Sequence, residues 1–161
     1  MTNRKSAGLL ALALVACCLA GQVSAKEPKY QPFKSRVEAV WDNIFNGLLA
    51  PPANFVGISQ TTHMGRTAQQ GTLVLGPPNE VFIFPGEGSV TLTAANGETL
   101  TFKYVGFLSP LTGEGIGTFK FTSGTGRFAN AKGDGTFYAL IDTSLPANQP
   151  MIVTLDGRIS Y

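Results

Sequence analysis

The chain has 161 residues, with 12 Lys and Arg against 10 Asp and Glu. That suffices for one core-bearing domain but offers too little concentrated positive charge for a phosphate-backbone partner, so no nucleic-acid role is expected. Cys17 and Cys18 are its two cysteines and His63 its single histidine, which excludes a multi-histidine or thiolate centre in the body of the chain; no metal or cofactor is expected.

Arg4 and Lys5 precede an apolar run from Ala7 to Ala20, and Val23-Ser24-Ala25 places small residues before Lys26. This is the three-part layout of a secretory signal sequence, so residues 1–25 are expected to be removed by cleavage after Ala25, giving a periplasmic or secreted product. Leu14-Val15-Ala16-Cys17 also has the form of a lipoprotein processing site. Lipidation at Cys17, which would tie the protein to a membrane, is the alternative outcome. Cleavage after Ala25 leaves ten basic and ten acidic side chains in about 136 residues, a neutral single domain with no cysteine for a disulfide.

After a lead over residues 26–32, Phe33, Ser35, Val37, Ala39 and Trp41 alternate with Lys34, Arg36, Glu38 and Val40, the period of a half-buried strand. Val37, Val40, Trp41, Ile44, Phe45, Leu48 and Leu49 also fall at helical spacing before Pro51-Pro52, so pattern alone leaves strand and helix open. Residues 54–62 and 67–75 are two further strands, with a short extra piece over 81–84. Val90, Leu92 and Ala94 then alternate with Ser89, Thr91 and Thr93, and Leu100, Phe102 and Tyr104 with Thr99, Thr101 and Lys103. Asn96-Gly97 between these runs predicts a hairpin with a type I′ turn. Residues 116–122 and 136–142 flank a Gly-rich segment, Ser123 to Gly135, and Met151 to Tyr161 is a last alternating strand. Eight short strands punctuated by Gly and Pro mean an all-β sandwich or closed barrel, and closure removes exposed edges.

Thr62-His63-Met64-Gly65-Arg66, the run Ser123-Gly124-Thr125-Gly126-Arg127-Phe128 with Ala131, Gly133, Gly135 and Phe137 following, and the end Gly157-Arg158-Ile159-Ser160-Tyr161 resemble motifs of a family of small exported bacterial proteins. The late Gly-Thr-Gly and Phe pattern also resembles plant dirigent proteins and, more faintly, allene oxide cyclases. The resemblance covers most of residues 33–161, one domain, and implies an antiparallel eight-stranded closed barrel of the allene oxide cyclase type. It favours a strand for 33–41 and implies homo-oligomers. It carries over no functional residue, because the matching positions are turn glycines and packing residues.

Gly124, Gly126, Gly133 and Gly135 serve in this reading as backbone freedom between two strands, with Phe128 and Ala131 tucked against a barrel end. A dinucleotide loop would need a helix after it, and the pattern beyond Gly135 is that of a strand. His63 is expected to bond a backbone carbonyl at a corner, and Arg127 to be an exposed turn residue of little energetic weight. No serine has a nucleophile-elbow context. Glu38 and Asp156 point outward by alternation, while Glu80, Glu87, Glu98, Glu114 and Asp134 are assigned to loops or turns, so no catalytic residue is expected. The inward set is Val37, Trp41, Val90, Leu92, Leu100, Phe102, Tyr104, Phe137, Val153, Leu155 and Ile159. Such a lumen is a packed core or the lining of an apolar ligand site, with Trp41, Phe102, Tyr104 and Phe137 as its binding residues. The functional expectation is an exported barrel that binds a hydrophobic small molecule or serves as a surface-interaction scaffold. The alternative is a shape-guided cyclase or isomerase, or a dirigent-like protein.

Overall fold

The computed structural model describes residues 27–41, 49, 51–145 and 147–161. The expected signal sequence, Cys17 and the region from Asp42 to Leu48 lie outside them. Eight strands form, β1 Gln31–Trp41, β2 Ala53–Thr61, β3 Gly65–Leu75, β4 Phe84–Ala94, β5 Thr99–Ser109, β6 Glu114–Gly124, β7 Lys132–Ile141 and β8 Gln149–Ser160. Each is antiparallel to the next and β8 pairs with β1, closing the barrel. The helical alternative fails through Trp41, because β1 pairs to its last residue with both Phe55 and Gln149. Pairing on both sides turns Val37 inward and Val40 outward, the separation that a period of two requires.

Every member of the expected inward set lies in the barrel interior, with Tyr104, Phe137 and Val153 only partly buried. Phe33, Phe102, Phe119 and Phe121 pack as a tilted and edge-on cluster with ring centroids 4.9 to 6.2 Å apart. Two of the interior rings lie over stretches of wall thinned by glycine. Phe137 lies over the paired glycines Gly106 and Gly117 of β5 and β6, and Phe119 over Gly135 of β7, which pairs with Gly157 of β8. Where hydroxyls enter the core they satisfy one another: Ser35 with Thr61, and Ser59 with Thr61 and Thr67.

Several local expectations are corrected. Asn96 lacks the positive φ of a type I′ turn; Gly97 alone has it, at 84°. The Gly97 N–H donates to Ala94 O and the Ala94 N–H to Glu98 O, so the hairpin closes through three residues, Ala95 to Gly97, ending in a left-handed glycine. Residues 81 and 82 form a turn held by Asn79 Oδ1, which accepts from the N–H groups of Val81 and Ile83; only Phe84 joins a strand. Gly133 and Gly135 belong to β7, which begins at Lys132. Glu87, Glu114 and Asp134 are exposed on strands and not in loops, because those strands run further than their apolar alternation shows.

Candidate functional site

The two barrel ends differ. One carries the β2–β3 turn with His63, the Asn96 loop, the 3-10 turn Gly126–Phe128 and Tyr161. At the other, β1, β3 and β7 finish at Trp41, Leu75 and Ile141, and an apolar cavity of about 80 Å³ opens among the strands there. Trp41 of β1, Phe102 and Tyr104 of β5 and Phe137 of β7 all line it. Alternation alone brings them together, since each sits at an inward position of its strand.

The lining rings are held by specific contacts. Trp41 packs on Phe55 with centroids 4.3 Å apart, and its Nε1–H donates to the Met151 sulfur at 2.7 Å. Tyr104 meets Phe137 edge-on at 5.6 Å, and its hydroxyl donates to the Thr72 carbonyl oxygen at 2.7 Å. Burial pushes the Tyr104 phenol well above its ordinary value, so its proton stays on and is committed to a backbone acceptor. Among the described residues no Asp, Glu, Lys, Arg, His, Ser or Cys lines the cavity. Among the described residues no three His, Cys, Asp or Glu converge on a common point. These walls can select by shape and exclude water, but offer no general acid, base or nucleophile.

The remaining singled-out residues gather at the opposite end, outside the cavity. His63 has φ 67°, and its Nε2–H donates to the Pro32 carbonyl oxygen at 2.8 Å. Its ring meets Tyr161 edge-on, and Tyr161 packs on the fully buried Phe128. Gly124 ends β6 against Phe128, while Gly133 passes close to the Arg158 carbonyl. Gly126 has φ 58°, and a Cβ there would collide with the Glu98 carboxylate. Arg127 is exposed in its turn, as expected, but its side chain makes contacts that the sequence did not suggest. Its guanidinium donates to the His63 carbonyl oxygen at 2.6 Å, pairs with Glu98 at 3.1 Å and lies over the Phe128 ring. One side chain thus ties three separate turns together, which no local pattern could show.

Glu98 is expected to make this end sensitive to acid. Its carboxylate accepts from the Arg127 backbone N–H at 2.9 Å and from Asn96 Nδ2 at 2.9 Å, and these bonds, the backbone one first, hold its carboxyl below the ordinary value of 4.5. A lowered folded value means the contribution is complete above 4.5 and is lost as pH falls through the folded value. Urea midpoints between about pH 6 and pH 3 should therefore fall more steeply for wild type than for Glu98→Gln. Parallel curves would show that this carboxylate is not coupled to folding.

Sequence reasoning missed Gln69, a buried amide that also lines the cavity. The alternation Thr67, Gln69, Gly71, Leu73, Leu75 places it inward, but only for a reader willing to anchor the period on Leu73 and Leu75 and carry it back through a polar residue.

Neither protein-family models nor curated proteins match the sequence. Among solved structures, a pterocarpan synthase dirigent protein is similar over 84% of this chain and 87% of that one, with 14% identity and a TM-score of 0.49.

Proposed function

We propose that the barrel binds a small apolar molecule in its lumen. The observation that supports this is the cavity itself, about 80 Å³ walled by Trp41, Phe102, Tyr104 and Phe137. An empty apolar cavity of that size costs roughly 2 kcal/mol, because its lining atoms lack partners on one side, and an occupant recovers that loss. For scale, an engineered cavity of about 150 Å³ accepts benzene. The occupant is therefore small, or extends from the cavity past the strand ends at Trp41, Leu75 and Ile141. A cyclase or isomerase guided by shape would use the same walls, and nothing on them favours chemistry over binding.

A second reading, a surface-interaction scaffold, is supported by the outer face. Val105, Phe107, Ile116, Tyr138, Leu140 and Ile152 are all exposed, and the pairs Phe107 with Ile116, Ile116 with Tyr138 and Leu140 with Ile152 are in register across β5 to β8. A contiguous patch of this kind is a recurrent mark of protein contacts, here between copies of the chain. Native mass spectrometry of the purified protein addresses both readings. A co-purifying mass or saturable binding of an apolar dye is the expected result for the first, and more than one subunit for the second. Absence of both adduct and dye binding would sink ligand binding, and a monomer at every concentration would sink self-association.

A further inference from the structure

Gln69 stands on the inward row of β3 between Thr67 and Gly71, and is 5% exposed. Its side-chain oxygen Oε1 is buried without a hydrogen-bond partner, the one such atom among the described residues. Its partners in register are Gly57 and Leu92, neither of which brings a polar side chain. Next to it the hydroxyls of Ser59, Thr61 and Thr67 bond to one another, so unmet polarity is not general in this core. It is confined to the one amide that lines the cavity. A buried amide oxygen left unpaired weakens the fold unless something else supplies the missing donor.

We propose that Gln69 is the polar anchor of the cavity and that the occupant is a small apolar molecule carrying one hydroxyl, which donates to Gln69 Oε1. This rests on the ligand-binding reading above and specifies its chemistry. A hydroxyl fits whichever way the terminal amide is turned, since it donates to the oxygen or accepts from the nitrogen. A charged head group does not fit, because among the described residues no charged side chain lines the cavity to compensate its desolvation. Tyr104 cannot donate to the occupant, its own proton being held by the Thr72 carbonyl oxygen.

Cyclopentanol and methylcyclopentane, nearly equal in shape, separate the hydroxyl from the apolar body. Each is titrated into isotope-labelled protein and followed by the NMR shifts of the cavity residues, in wild type and in Gln69→Leu and Gln69→Met, the second variant keeping the length of the side chain should the first fail to fold. The expected result is that the ratio of alcohol to hydrocarbon affinity falls about three- to tenfold in the variants, the worth of one hydrogen bond. The variants should also melt above wild type, since they remove an unpaired buried amide. A ratio unchanged by substitution, with both compounds bound, would overturn the anchor and leave the apolar site standing. Failure of both compounds to perturb the wild-type cavity residues would overturn the anchor together with the ligand-binding reading.

Discussion

Gly117→Val is expected to destabilise the barrel by about 3 kcal/mol or more, the upper end of what overpacking costs. A Cβ at position 117 would stand 2.6 Å from Cε1 of Phe137 and 2.6 Å from the Cα of Gly106, and would press on the Val105 carbonyl. Two of these three neighbours are backbone in a paired strand and cannot step aside. The ring cannot retreat either, because Tyr104 meets it edge-on. Thr118→Val, one residue on and facing outward, is the control and should change stability by less than about 0.5 kcal/mol. Urea unfolding of the two variants makes the comparison. Equal, small losses would show that the ring does not lie over the glycine pair.

Phe128→Ala is expected to cost about 3–5 kcal/mol, as for other fully buried rings. The side chain has no solvent exposure and fills the barrel end beneath Tyr161 and the Arg127 guanidinium. Arg127→Ala should lose a smaller amount, since the guanidinium is about half exposed and its ion pair is screened. It should not be neutral, because it removes a donor from the His63 carbonyl as well as a partner from Glu98. Chemical denaturation of the three proteins fixes the order. Phe128→Ala no worse than Arg127→Ala would mean that polar contacts and not the ring hold this end.

The strands were legible because their evidence is local, whereas the choice of a closed barrel over a sandwich came from the family resemblance. Alternation in Val90 to Ala94, Leu100 to Tyr104 and Met151 to Ile159 assigns faces without knowledge of partners, and the lumen aromatics follow from it. Turn details were less legible. Asn96-Gly97 signals a hairpin, but whether the loop has two residues or three depends on which pair closes it, here Ala94 with Glu98. Long-range polar contacts were illegible: Arg127 reaches His63 across 64 positions of sequence, and nothing near either residue marks the other. Gln69 was hidden for another reason. A polar residue in a strand is read as outward by default, and here only the period carried back from Leu73 and Leu75 turns it in.

Closure of the barrel has a kinetic side. Seven of its eight seams join strands adjacent in sequence, whereas the eighth, β1 with β8, joins Gln31–Trp41 to residues more than a hundred positions away. The entropy of closing so long a loop grows only with the logarithm of its length, so the last seam costs the native state little. It weighs on the rate, because distant pairings form after local ones. Until then β1 and β8 each present a bare row of N–H and C=O groups, and a second chain at the same stage presents the same two rows. Exchange of strands between copies is thus confined to the interval before the seam forms, and ends with it.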